Sequence, residues 1–164
     1  MVEETTMKQD FSSHSQAFVG RALENLSQLI ERQSQVVLEN AGVTIPVKSC
    51  STLTAIAVLG EASTSDIARY VKTSHQLIKQ KLSTLEKSGT VSVAADQVDK
   101  RRRLYSLTEE GKLQVQKLDE VLPEIARAYD KLFAEIGLNL NSVCHEVEAK
   151  LEAESLADRV SSLT

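Results

Sequence analysis

Residues 65–112, SDIARYVKTSHQLIKQKLSTLEKSGTVSVAADQVDKRRRLYSLTEEGK, change their apolar period twice, and the order of those changes decides the fold. From Ser65 to Val71, Ile67, Ala68 and Val71 form the inward side of a two-turn helix. Lys72-Thr73 read as a turn. Ser74 reads as the N-cap of a helix from His75 to Lys87, because a hydroxyl there accepts an amide of the first turn that has no partner inside the helix. Ile78, Leu82 and Leu85, at i, i+4 and i+7, give that helix one apolar stripe. Gly89 stands at its C′ position, where a left-handed backbone carries no Cβ penalty. Beyond it Val91-Ser92-Val93 alternates, as does Arg103 to Leu107, and the charged, turn-prone Asp96-Gln97-Val98-Asp99-Lys100 separates them. This is the pattern of a β-hairpin with a basic tip.

The flanks read as helices. From about Ser12 to Asn40, Val19, Leu23, Leu26, Ile30 and Val37 recur at spacings of 4, 3, 4 and 7, an amphipathic helix of roughly 40 Å at 1.5 Å per residue. Ala41-Gly42 ends it. Thr44-Ile45-Pro46 starts the next helix with Thr44 as N-cap, and Val47, Cys50, Leu53 and Ala57 are expected to face inward. Glu61 to Thr64 reads as a polar connection. On the other side, Thr108-Glu109-Glu110 opens a long helix with acids in its first turn, and Leu118, Leu122, Ile125, Tyr129, Leu132 and Ile136 make a heptad-like seam. Pro123 inside that seam predicts a kink near Asp119 to Leu122. Gly137 breaks the run, and a last helix after Asn141 is expected to turn Val143, Val147 and Leu151 inward.

Two short helices across a tight turn, followed by a hairpin, make a winged helix-turn-helix. The expected fold is mainly α with a small β-hairpin wing, a single domain over residues 1–164. Residues of about 46–109 would form the winged helix-turn-helix lobe. Residues of about 12–45 and 110–160, from both chain ends, would form a helical dimerisation lobe, since their apolar seam exceeds what so small a module can cover.

Charge is divided along the chain. The net charge is −4, yet residues 63–112 hold ten basic against six acidic residues, while the rest holds nine against seventeen. A basic centre between acidic arms suits a surface that meets an anion. No run of eighteen apolar residues is present, so no membrane span is expected, and the acidic, polar start MVEETTMKQD does not read as a signal peptide. The cytoplasm is the expected location. Only 4% of residues are aromatic and Trp is absent, which argues against a single-strand binder that stacks bases.

Two features carry the functional reading. In the helix from Ser74, the face opposite the apolar stripe presents His75, Gln76, Lys79, Gln80 and Ser83. The major groove of B-DNA admits one helix, Gln can bond adenine in bidentate fashion, and Lys reaches guanine or phosphate. Ser74 and the helix N-terminus suit a phosphate. Any soluble helix also has a polar outer face, so this feature gains weight from the second. Lys100, Arg101, Arg102 and Arg103 put four cations at the hairpin tip, where an arginine can enter a narrow, A·T-rich minor groove. Asp99 is expected to orient the wing by holding one guanidinium in a forked pair while another is presented.

The quoted stretch resembles the MarR family of transcription regulators. The resemblance rests on Ser65-Asp66-Ile67-Ala68, on Leu82-Ser83-Thr84-Leu85-Glu86-Lys87-Ser88-Gly89, and most of all on Asp99-Lys100-Arg101-Arg102-Arg103-Leu104-Tyr105-Ser106-Leu107-Thr108-Glu109-Glu110-Gly111-Lys112. That last run is similar to the family's wing, an Asp-x-Arg stretch leading into Leu-Thr-x-x-Gly-Lys/Arg. The resemblance covers nearly the whole chain and implies a homodimer on a pseudo-palindromic operator, with the Ser74 helix in the major groove and Arg101 in the minor groove. Gln97 departs from a frequent proline, and Lys81 from a usual apolar residue.

The expected function is therefore a sequence-specific, duplex-DNA-binding regulator, a homodimeric repressor whose affinity a small-molecule effector modulates. The alternative is a winged-helix module whose basic wing docks an acidic protein. No Gly-rich phosphate loop, GxSxG, HExxH or paired-carboxylate arrangement is present, so no enzymatic activity and no cofactor are expected. Cys50 and Cys144 lie far apart without CxxC spacing and read as thiols rather than a bridge. His14, His75 and His145 are scattered, so no metal site is expected.

Overall fold

The computed structural model describes residues 16–163, so Ser12 to Ser15 of the expected first helix, with His14, lie outside the described residues. After a 3-10 turn at Gln16–Phe18, helix α1 spans Val19–Asn40 and α2 spans Val47–Leu59. Strand β1 (Ala62–Ser63) leads into α3 (Thr64–Val71), α4 (His75–Lys87), β2 (Val91–Ala95) and β3 (Arg103–Leu107). Helices α5 (Glu109–Ile136), α6 (Leu140–Ala153) and α7 (Leu156–Ser161) complete the chain. The expected class holds: the protein is mainly helical with one small antiparallel sheet.

That sheet has three strands rather than the expected two, in the order β1-β3-β2. The stretch read as a polar connection supplies the third, with Ala62 opposite Tyr105 and Ser63 opposite Leu104. Two residues are too few to show an alternating period, so the sequence pattern carries no sign of this strand.

The chain divides between Val121 and Leu122 into two compact units. In the first, Leu53 and Ile56 of α2, Ile67 of α3, Ile78, Leu82 and Leu85 of α4, and Leu118 of α5 are fully buried. The stripe expected on α4 is thus its core face. On α2 the expectation needs correction. Only Leu53 of the four residues read as inward is fully buried, and Ser49, Thr52, Ala55 and Ile56 join it. Helix α2 packs against α1, α3, α4 and β3, so most of its circumference is covered and no single stripe marks it.

Thr44 is not the N-cap of α2 either; that position is Pro46, whose side chain has no oxygen to offer. Gln35 of α1 supplies the oxygen, its Oε1 accepting the Val47 N–H at 2.8 Å. The Thr44 N–H donates instead to Oε1 of buried Gln114 at 2.8 Å, and Lys117 Nζ donates to the Gly42 carbonyl at 2.7 Å. The α1–α2 connection is thereby fastened to α5 by two polar contacts.

Helix α5 is unbroken across Pro123, and the division between the units falls at the residue before that proline. In the second unit Tyr129 and Phe133 stack with ring centroids 5.8 Å apart. Arg159 ties α7 to the end of α6, donating from Nη2 to the Lys150 carbonyl at 3.0 Å and from Nε to that of Glu154 at 3.2 Å. No residue of α6 is buried. Val143 is half-buried, and Val147 and Leu151, expected to turn inward, are exposed in the single chain.

Candidate nucleic-acid interface

Helix α4 is built to expose one face. Ser74 caps it, its Oγ accepting the Leu77 N–H at 3.3 Å, which leaves the hydroxyl hydrogen to donate elsewhere. His75, Gln76, Lys79, Gln80 and Ser83 are all exposed. At 3.6 residues per turn these positions fall within an arc of about 140°, so one partner can meet them all. Ile78, Leu82 and Leu85 anchor the other side in the core and fix the rotation of the helix about its axis.

The hairpin between β2 and β3 is held at its tip by two aspartates. Oδ1 of Asp96 accepts the Val98 N–H at 2.8 Å and the Asp99 N–H at 3.3 Å. These bonds hold the Asp96 carboxyl below the usual carboxylate range. Oδ1 of Asp99 accepts the Arg101 N–H at 3.0 Å, while the Asp99 carbonyl accepts the Arg102 N–H at 2.8 Å and the Asp96 N–H donates to the Arg102 carbonyl at 2.9 Å. Such Asx turns give the tip a fixed shape without proline at position 97. Asp99 therefore acts on the main chain of Arg101, and not on a guanidinium as expected.

The guanidinium partners are Asp66 and Glu86. Arg102 Nη2 donates to Asp66 Oδ2 and, at 3.2 Å, to Ser63 Oγ. Ser63 and Asp66 form the capping box of α3: Ser63 Oγ accepts the Asp66 N–H at 3.3 Å, and Asp66 Oδ2 accepts the Ser63 N–H at 3.0 Å. The Ser63 hydroxyl also donates to Asp66 Oδ2 at 2.6 Å. Hydrogen bonds from the Ser63 hydroxyl and amide, with a smaller share from the Arg102 guanidinium, lower the Asp66 pKa to about 2. Arg103 Nη2 lies 3.7 Å from Glu86 Oε1 on α4. Among the described residues, no carboxylate pairs with the Arg101 guanidinium.

An open cleft of about 930 Å³ lies between these elements. The start of α3 with Arg69 forms one wall, Lys79, Ser83 and Glu86 of α4 another, and Asp99 with the three arginines of the wing the third. Five cations face three anions there. The structure thus brings Lys79, Ser83, Asp99, Arg101, Arg102 and Arg103 to one cleft, while Ser74, His75, Gln76 and Gln80 lie on the exposed face of α4 without lining it. Sequence reasoning missed Arg69, Ser63, Asp66 and Glu86. The Ser-x-x-Asp spacing of residues 63–66 is a capping-box signal and marks two of them.

Other chemistry finds little support. Cys50 is half-buried on α2, and burial pushes its thiol up to about 11, which disfavours the nucleophilic thiolate. Among the described residues no three His, Cys, Asp or Glu side chains gather as a metal site, and no helix is long and apolar enough to cross a membrane.

No protein-family model matches the sequence, and no curated protein sequence matches it. Solved structures do. A MarR variant from E. coli complexed with operator DNA superposes with a TM-score of 0.63 at 16% identity, over 86% of this chain and 96% of that one. The chain has the MarR fold. The transcriptional regulator MOSR of M. tuberculosis, solved in complex with DNA, superposes with a TM-score of 0.62 at 18% identity, over 82% of this chain and 95% of that one. BpsR of Bordetella bronchiseptica, whose DNA binding is regulated by 6-hydroxynicotinic acid, gives 0.57 at 18% identity, over 84% and 93%. Two of these neighbours were solved bound to DNA, and the third is a protein whose DNA binding is regulated.

Proposed function

We propose that the protein is a homodimeric transcription regulator of the MarR type that binds duplex DNA sequence-specifically and represses by occupying its operator. The observation that carries this reading is the basic cleft between α4 and the wing, flanked by an exposed recognition face whose rotation the core fixes. In the major groove, Gln76 pairs with an adenine edge, Lys79 with guanine or phosphate, and His75, Gln80 and Ser83 complete the contact. The Ser74 hydroxyl donates to a phosphate beside the helix N-terminus. Arg101 enters the minor groove, where negative potential concentrates.

The dimer rests on apolar residues that the single chain leaves exposed, among them Val19, Leu23 and Leu26 of α1 and Leu132 and Ile136 of α5. Residues of about 12–45 and 110–160 form the dimerisation lobe on this account, and residues of about 46–109 the DNA-binding lobe. The expected cytoplasmic location is kept in this reading, as it suits a regulator with a duplex-DNA partner. The regulated DNA binding of BpsR extends the proposal to a small-molecule effector.

The test is a salt titration of duplex binding by two variants. Arg101→Ala weakens binding to all sequences and lowers the slope of log K against log[salt] by about 0.9, one phosphate's worth of released counterions. Gln76→Ala leaves that slope alone and relaxes preference at one or two base pairs, each costing about 1–3 kcal/mol of discrimination. Equal loss on specific and random duplex for Gln76→Ala contradicts its assignment.

A further inference from the structure

Three consecutive arginines follow Lys100, and each meets a different environment. Arg102 is folded back onto the capping box of α3, Arg103 reaches toward Glu86 of α4, and Arg101 faces the cleft. We propose that Arg102 is a positioning residue, a latch that fastens the wing to the start of α3 and so fixes where Arg101 points. This assignment rests on the proposed DNA-binding function.

The geometry favours a latch over a chance surface pair. One carboxylate oxygen, Asp66 Oδ2, receives the Ser63 amide, the Ser63 hydroxyl and the Arg102 guanidinium, and Arg102 also bonds the same hydroxyl. An isolated exposed ion pair contributes little and wanders among rotamers. Here the helix cap holds both acceptors in place, and a single Arg102 nitrogen, Nη2, reaches the carboxylate and the hydroxyl together. The Asp66 side chain is 29% exposed and that of Arg102 45%. The contact is half in water, which suits holding a hairpin in place more than stabilising the fold. Main-chain pairing reaches the same point, since Ser63 lies opposite Leu104, two residues beyond Arg102.

The latch makes a prediction of unusual sign. Asp66 is an anion beside a cleft proposed to hold polyanionic DNA, so its neutralisation strengthens binding if only charge counts. If Asp66 holds the latch, its neutralisation weakens binding.

The experiment uses the full-length protein and its Arg102→Ala, Arg102→Lys, Asp66→Asn and Arg101→Ala variants, with two readouts. Amide hydrogen exchange at Val98 to Arg101 in the free protein reports the wing without DNA. Affinity and salt slope are measured on a duplex enriched from a random pool. The latch requires faster wing exchange in Arg102→Ala and Asp66→Asn but not in Arg101→Ala, with thermal stability of Arg102→Ala close to that of the parent. It requires affinity to fall by about tenfold in both latch variants, with the salt slope of Arg102→Ala unchanged. Arg102→Lys, which keeps the charge on a compact ammonium in place of the planar guanidinium, recovers part of that affinity. Unchanged wing exchange, a salt slope lowered by about one in Arg102→Ala, or tighter binding by Asp66→Asn overturns the latch and makes Arg102 a direct phosphate contact. If the parent protein binds no duplex, the DNA-binding function fails, and the exchange data alone decide whether the latch holds the wing.

Discussion

At the scale of the residue, Asp66 shows how one carboxylate serves two structures at once. It caps α3 and receives Arg102, and its pKa is lowered to about 2, first by the Ser63 hydroxyl and amide. An unfolded aspartate titrates near about 3.9. The folded value is the lower one, so the folded state is favoured in full above about pH 4, and the advantage is lost as pH falls through about 2. Acid unfolding of the parent and of Asp66→Asn checks this: the stability gap between them narrows between about pH 4 and pH 2. A gap that stays constant over that window contradicts the assignment. The Ser63–Asp66 spacing carries a capping signal that the reading of residues 61–64 as a connection passed over, and the arrival of Arg102 leaves no signal at all. It depends on the pairing of β1 with β3, and a two-residue strand leaves no period to read.

At the scale of the element, the junction between the wing and α5 explains a glycine that the sequence shows only as part of a pattern. Thr108 donates its N–H to the Thr90 carbonyl at 3.1 Å and its hydroxyl to that of Gly89 at 2.6 Å, and its Oγ1 accepts the Gly111 N–H at 3.1 Å. The first turn of α5 is thereby drawn so close to the chain after α4 that a Cβ on Gly111 would lie 2.0 Å from the Thr90 carbonyl oxygen. Backbone on both sides must move to admit it. Gly111→Ala is therefore expected to destabilise by about 1–3 kcal/mol, read as a lowered midpoint in thermal unfolding. An unchanged midpoint contradicts the close approach. Elements with one covered face, such as α4, were legible from their stripe. Helix α2 was misread in its inward face because four elements cover it, and in its cap because the capping oxygen comes from Gln35, twelve residues away.

At the scale of the whole molecule, the division of charge and of apolar surface points to one assembly. Five basic residues line the cleft of α4 and the wing, while large apolar side chains stay exposed on helices of both units: Leu23 and Leu26 of α1, Ile136 of α5, Val147 and Leu151 of α6. In the proposed function a second copy covers that surface, and its two-fold symmetry turns one DNA-contacting helix into two. The heptad-like seams signal this excess of apolar surface in outline, since their length exceeds one small core. Which residues stay exposed required the packed chain. The central claim is sequence-specific recognition of duplex DNA by a dimer, and selection of bound duplexes from a random pool at near-physiological salt tests it most directly. The account predicts an enriched inverted repeat with half-site centres about one helical turn apart. A pool that emerges unenriched, with binding lost at modest salt, contradicts it and leaves a nonspecific basic surface of the kind that would dock an acidic protein.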